Sequence, residues 1–97
     1  MQHAITIFTA KPGRLKELAD NLMMEYVRNS EVTGPTTDKL FLEEAGNNAI
    51  HIGTYDSKSE YEDWIKSDLR KHHLDQISHL LANVETSLYE PYYSSDS

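Results

Sequence analysis

The order of amphipathic patterns along the chain limits its possible folds more strongly than any single motif. Residues 3–9, HAITIFT, form a β-branched and aromatic run that predicts a strand. From Arg14 to about Arg28 the apolar residues recur at helical spacing, which predicts a first helix with one side on a core. Two further strand-like runs lie at 39–44 and 49–55, and the turn signal AGNN between them predicts a hairpin.

The second half of the chain adds another helical region and a last strand. The sequence SKSE fits a capping box in which Ser57 accepts from free amides at a helix start, so a helical region is predicted from there to about Ala82. The run VETSLYE at 84–90 predicts a strand. The order β-α-β-β-α-β is typical of an α+β, ferredoxin-like fold, a four-stranded antiparallel sheet with both helices on one face. The uncovered face needs a second layer, and we expect a homodimer to supply it.

Length and charge narrow the possible functions. The 97 residues suffice for one domain, which we assign to 1–91, with a frayed tail at 92–97. Without cysteine there can be no disulfide or thiolate site, and a net charge of -7 argues against a nucleic-acid partner. No apolar run approaches the roughly 20 residues needed to span a membrane, and no export signal is recognisable. We therefore expect no membrane partner and a cytoplasmic location.

The segment 59–81, SEYEDWIKSDLRKHHLDQISHLL, holds the only tryptophan and three of the five histidines. On a continuous helix, residues nine apart are about 900°, or half a turn, out of phase, so Trp64 and His73 would face opposite ways. The sequence KSD at 66–68 can interrupt the helix, with Asp68 capping a new start. A break there would let Trp64 and His73 share one pocket, while His72 and His79 remain on a solvated face.

Each candidate side chain also has a purely structural explanation. Trp64 is either a core anchor or a pocket wall. His73 is either a core-edge histidine bonded to a backbone carbonyl, or an iron ligand or proton-handling group. His51 alternates with two isoleucines, which places it on the expected dimer face, whereas His3 could reach a pocket rim. Residues expected in the core of the first helix are Met23, Met24 and Tyr26.

The chain resembles the antibiotic-biosynthesis-monooxygenase superfamily of dimeric α+β barrels, from HAITIFTAKPGRLKELADNL through IHIGTYDSKSEYEDWIKSD to VETSLYEP. The run YDSKSEYEDWIKSDLRKHH is similar to a segment of the Isd-type haem-degrading monooxygenases, in which a D/E-x-W helix precedes a haem-ligating histidine. By that resemblance Trp64 would ruffle the haem and His73 would be its axial ligand. The asparagine that those enzymes carry on the first strand matches Ile7, which has no hydrogen-bonding group.

The resemblance implies a small monooxygenase that uses O2 on an aromatic or haem-like substrate bound between helices and sheet. Trp64 and His73 would be the catalytic residues, and His73 a metal ligand only if haem binds. The cofactor is then either haem or none. The alternatives are a haem-binding, haem-degrading protein and a non-catalytic dimeric barrel that binds a small hydrophobic or aromatic ligand. The expected substrate-lining residues are Ile5, Ile7, Tyr26, Trp64, Ile65 and Leu69.

Overall fold

The computed structural model describes residues 2–29, 35 and 37–93, and of residues 25–29 it describes the backbone alone. The predicted order of elements is confirmed, and the second helical region is divided in two. The elements are β1 (Gln2–Ala10), α1 (Leu15–Asn29), β2 (Thr37–Glu43), β3 (Asn48–Tyr55), α2 (Lys58–Lys66), α3 (Asp68–Ile77), a 3-10 turn (Ser78–Leu80) and β4 (Leu81–Tyr89).

The four strands form one antiparallel sheet in the order β2-β3-β1-β4. The β2–β3 hairpin is therefore confirmed. Its turn contains Asn47 at φ 58°, a left-handed conformation that asparagine tolerates better than most residues. The Asn47 side-chain amide donates to the carbonyl oxygen of Ala10 at 2.6 Å, which ties the turn to the end of β1.

The two faces of the sheet have different neighbours. On β1 the even-numbered residues from Ala4 onward are buried, and Ala4, Thr6 and Phe8 lie opposite Gly53, His51 and Ala49 of β3. These residues face the helices, because they pack with helical side chains. The odd-numbered residues Ile5 and Ile7 lie opposite Ile52 and Ile50 and form the helix-free face.

The helix side of the sheet holds two apolar clusters. The larger cluster consists of Phe8, Ala10, Leu18, Leu22, Ala49, Ile77 and Leu80. The smaller cluster consists of Ala4, Tyr55 and Trp64, with Tyr61, Ile65, Leu69 and Leu88 packed against it. Burying aliphatic and aromatic side chains in this way stabilises the fold by roughly 1.5–3 kcal/mol each.

The outer part of α1 corrects one expectation. Leu18 and Leu22 are buried as predicted, but Met23 and Met24 are 57% and 58% exposed rather than in the core. Each successive residue turns about 100° around the helix, so the two methionines that follow Leu22 rotate away from the sheet. The Tyr26 side chain, expected in the core and as a substrate contact, lies outside the described residues.

The ends of the elements follow from local hydrogen bonds. The Ser57 cap is confirmed, since its hydroxyl accepts from the Glu60 amide at 3.2 Å. The helical region ends earlier than predicted and β4 begins at Leu81, which pairs with Ala10 next to a register shift in β1. Tyr92 and Tyr93 are exposed, whereas 94–97 lie outside the described residues. The domain limits 1–91 and the frayed tail 92–97 stay predictions.

None of the helices in the described part of the chain combines the length and apolarity needed to cross a bilayer.

Candidate functional site

The break between α2 and α3 is built by one residue, Ser67. Its backbone is extended, at φ -68° and ψ 146°. Its hydroxyl donates to the Trp64 carbonyl oxygen at 2.7 Å and accepts from the Arg70 amide at 3.2 Å. Ser67 therefore closes α2 and caps α3 with the same side chain. The predicted break is confirmed, but its cap is Ser67 rather than Asp68, which lies in the first turn, where a negative charge favours the helix dipole.

The break turns Trp64 and His73 towards the same side of the sheet. Trp64 is 5% exposed and packs with Ala4 and Tyr55, whereas His73 is 2% exposed on α3. Ile65 and Leu69 are partly buried beside Trp64. His72 and His79 are exposed, as the sequence predicted.

A polar layer separates the two apolar clusters. His51, Thr6 and Thr86 occupy matching positions on β3, β1 and β4, and the two threonine hydroxyl oxygens are 3.0 Å apart. We call these three residues, together with His73 on α3, the histidine layer. His51 and Thr6 are 3% and 7% exposed. Polar groups are costly to bury, so such a layer between two apolar clusters is a candidate for function.

The two histidines of the layer influence each other. Burial, and to a smaller extent the charge of His73, lower the pKa of His51 to about 4. His51 is therefore neutral at pH 7. Because repulsion between two imidazolium ions is poorly screened in a dry interior, the pair favours holding one proton over holding two.

Small residues and a proline fix the position of His51. A Cβ atom added at Gly53 would lie 3.1 Å from His51 Cε1 and 3.1 Å from Cβ of Pro35. Pro35 is buried, so glycine allows the proline and the imidazole to approach the strand closely. Asp38 lies opposite Gly53 on the exposed edge strand β2, and partial burial of its carboxyl group raises its pKa.

The rim of the smaller cluster is aromatic and partly open. The Tyr55 and Tyr61 rings meet edge to face, with centroids 5.4 Å apart. Burial raises the pKa of Tyr61, against the opposing effect of the Arg70 charge. Tyr61, Ile65, Leu69 and Leu88 are of intermediate exposure and pack around the buried Trp64.

Three expectations about the sheet are corrected. His51, expected on the dimer face, points to the helices, and Ile50 and Ile52 form the helix-free face instead. Ile5 and Ile7 also lie on that face, so neither lines a space between helices and sheet. His3 shares it, with Nδ1 3.2 Å from the Thr54 hydroxyl, rather than reaching the pocket rim.

The same parity changes the comparison with the haem degraders. Ile7 points away from Trp64 and His73, so it cannot stand where a distal asparagine would act. The polar β1 side chain on the site side is Thr6. Both faces of β1 carry apolar side chains, so the alternation in the sequence alone did not show that Thr6 rather than Ile7 faces the helices. One feature of the sequence did indicate which face the helices cover. Ala49 and Gly53 flank His51 at a spacing of two residues, and close packing of helices on a sheet favours small side chains.

The residues around His73 do not fit haem in this conformation. His73 is 2% exposed, so its imidazole presents no open face to a group as broad as a porphyrin. Seating it would require separating α3 from the histidine layer. Within the described residues there is also no group of three or more His, Cys, Asp or Glu placed to hold a metal ion.

Solved structures share this fold over nearly the whole chain. SnoaB from Streptomyces nogalater, a cofactor-independent oxygenase, superposes with a TM-score of 0.82 at 13% identity, over 99% of this chain and 97% of that one. Rv0793 from Mycobacterium tuberculosis gives a TM-score of 0.79 at 17% identity, over 98% of each chain. A Deinococcus radiodurans protein, provisionally described as an antibiotic biosynthesis monooxygenase, gives 0.82 at 11% identity, over 100% and 98%.

The sequence itself matches no protein-family model and no curated protein. Structural likeness at these identities establishes the fold alone. The resemblance to the antibiotic-biosynthesis-monooxygenase superfamily is thus confirmed for the fold.

Proposed function

We propose that the chain is a small monooxygenase that acts without a cofactor on an electron-rich aromatic substrate. The observation that carries the proposal is the break at Ser67, which turns Trp64 and His73 to one side above a buried polar layer. The shared fold of SnoaB, a cofactor-independent oxygenase, supports this choice over other chemistries. The proposed substrate enters at the aromatic rim and lies against Trp64, Ile65 and Leu69. Because His73 is 2% exposed, α3 must move aside to bring the imidazole into contact with the substrate.

His73 is the proposed base and Trp64 the proposed stacking surface. A base held in a dry site beside the substrate raises the rate by providing both proton transfer and orientation. The indole face of Trp64 matches a planar aromatic ring. Thr6 supplies a hydroxyl on the same side of the sheet.

An anthrone illustrates the proposed reaction. His73 takes one proton from the activated methylene carbon, and the resulting carbanion gives electrons to O2 as a carbon–oxygen bond forms. The remaining hydrogen moves as a proton from the carbon to the terminal peroxide oxygen while the O–O bond breaks, which releases hydroxide and leaves a carbonyl group. The hydroxide takes the proton from His73 and departs as water. One oxygen atom goes to the carbonyl and one to water, so no external reductant is required.

We also propose that the active form is a homodimer formed through the helix-free face. That face carries Ile5, Ile7, Ile50 and Ile52, with Phe41 51% exposed beside them. A contiguous apolar surface of this kind on a small chain is a typical association surface. A second copy covers it with matching isoleucines, which removes apolar area from water in both chains.

Oxygen consumption with a panel of anthrones and quinols tests the activity. We expect uptake by the wild type, and kcat/KM about a hundredfold lower for His73→Gln. Trp64→Phe should mainly raise KM, because it keeps a smaller aromatic surface. The exposed His72→Gln variant is the matched control and should retain wild-type rates.

Two results would contradict the proposal. If the folded wild type consumes no oxygen across the panel but the ligands quench the fluorescence of its single tryptophan, the chain is a binding protein. If haemin gives a Soret shift that His73→Gln abolishes, the haem alternative replaces the cofactor-free one.

A further inference from the structure

We propose that the exposed edge of β2 pairs with the same edge of a second copy of this chain, centred on Phe41, so that two sheets join into one. The inference does not depend on the proposed oxygenase activity, and the contact is separate from the one proposed through the helix-free face. In the described part of the chain, β2 is the terminal strand of the sheet. A strand in this position presents unpaired backbone amides and carbonyls to which another strand can bond.

β2 lacks most of the features that normally prevent edge pairing. Six of its seven residues are exposed, and it contains no proline. Its register with β3 runs from Thr37 to Glu43 without a shift. Phe41 is 51% exposed and Leu42 is 46% exposed, so apolar side chains project from both faces of the edge. The one protective feature is Lys39, whose charge opposes pairing unless an acidic residue faces it.

The sequence of β2 is symmetric about Phe41 and supplies that acidic residue. Two antiparallel copies related by a two-fold axis form an isologous pair, and directly opposite residues must share a face of the sheet. Such a pair is therefore centred on one residue. With Phe41 at the centre, Lys39 lies opposite Glu43 of the second copy, and Leu40 lies opposite Leu42. Each of these pairs occurs twice, once on either side of the axis.

The neighbouring registers lack this complementarity. A pair centred on Leu40 would place Lys39 opposite Phe41 of the second copy. A pair centred on Leu42 would place Phe41 opposite Glu43. Cross-strand pairs of opposite charge and of aromatic residues stabilise a sheet, whereas a mismatched pair contributes little. The register centred on Phe41 is thus the favourable one.

The charged side chains of the edge are available for the contact. The Glu43 carboxylate accepts from the Asn48 side-chain amide at 2.8 Å through one oxygen, which leaves the other for a lysine. No ion pair between described residues uses Lys39 or Glu43. Asp38 would face Glu44, but Glu44 follows the end of β2, so this like-charge pair lies outside the paired strands.

The paired segment 39–43 is short, so the association is weak and reversible. We expect the mass in sedimentation equilibrium of the full chain to double as its concentration rises from about 10 μM to about 1 mM, the range in which small interfaces assemble. In dilute solution the edge is free, and assembly through the helix-free face is measured without it.

Charge variants test the register. Lys39→Glu and Glu43→Lys each turn both ion pairs into like-charge pairs and should weaken the doubling about tenfold. An equimolar mixture of these two variants restores opposite charges and should double in mass again. Leu42→Glu changes a side chain on the helix side of the edge, away from the helix-free face, and should also suppress the doubling. His72→Gln is the matched control and should behave as the wild type.

A single introduced thiol reports the geometry directly, because the chain has no cysteine. Directly opposite residues of antiparallel strands have Cα atoms about 4.5–5.5 Å apart, which is within disulfide range. Phe41→Cys should therefore oxidise to a covalent dimer. Lys39→Cys should not, because this position lies opposite Glu43 and not opposite its own copy. Adding Leu42→Glu to Phe41→Cys should suppress the cross-link.

A mass that does not change with concentration overturns the inference. So does a doubling that Lys39→Glu and Leu42→Glu leave unchanged, or a cross-link that forms equally in Phe41→Cys and Lys39→Cys. If the mass is constant and the β2 amides are protected from hydrogen exchange, a segment of the same chain occupies the edge instead. Oxygen consumption is measured separately, so failure of either proposal leaves the other standing.

Discussion

Lowering the pH from about 7 to about 4 should destabilise the folded protein through His51. Burial and the charge of His73 lower the folded-state pKa of His51 from 6.5 to about 4. The unfolded chain therefore binds this proton more readily than the folded one. The stability present above pH 6.5 is lost as the pH falls through the window between those two values.

The magnitude follows from the width of that window. A difference of about 2.5 pKa units corresponds to about 3 kcal/mol at most, of which about 2 kcal/mol is lost by pH 5. This is a large share of the total stability of a small domain. His51→Leu removes the titrating group while filling a similar volume, so it should lose less stability than the wild type over the same pH range.

Urea unfolding followed by the fluorescence of Trp64 measures this effect. Wild type, His51→Leu and the exposed control His72→Gln are compared at several pH values and one protein concentration, because dimerisation makes stability depend on concentration. Equal losses in the wild type and His51→Leu would refute the argument. In His73→Leu the charge of His73 no longer lowers the pKa of His51. The folded-state pKa of His51 should therefore lie closer to 6.5, and the total loss of stability on acidification should be smaller.

Three further substitutions test the architecture. Ser67→Ala removes the hydroxyl that caps α3 and should cost about 1 kcal/mol in urea unfolding; no loss would show that the break does not depend on the cap. Gly53→Ala places a Cβ atom 3.1 Å from both His51 and Pro35 and should cost about 1–3 kcal/mol, and a neutral result would mean that Pro35 moves freely. Ile50→Lys should shift the protein to a monomer in light scattering, and an unchanged dimer would place the interface elsewhere.

Much of the site could be predicted from local sequence, and the reason is geometric. A nine-residue spacing on a helix has a fixed phase, so Trp64 and His73 could meet only across a break, and the structure contains that break at Ser67. The sequence alone does not distinguish Ser67 from Asp68 as the cap, because both residue types cap well and the two positions are adjacent.

The prediction failed for the sheet faces because β1 and β3 are apolar on both sides. Period-two alternation assigns residues to two sets but does not say which set the helices cover. The larger isoleucines looked buried, yet the helices pack on the set that contains Ala4, Gly53 and His51. The prediction that Met23 lies in the core was wrong for a related reason. The apolar stripe of a helix does not determine which residues at its edges reach the core.

The sequence by itself determined the order of elements, the antiparallel sheet, the hairpin and the division of the histidines of the second helical region into buried and solvated positions. These features depend on turn residues, capping side chains and helical phase, all of which act over a few neighbouring residues. Only the tertiary structure decided that the charge of His73 reaches the buried His51, with Thr6 opposite His51 on β1. These relations join residues of β1, β3 and α3 that are far apart in the chain, and they depend on which face of the sheet the helices bury.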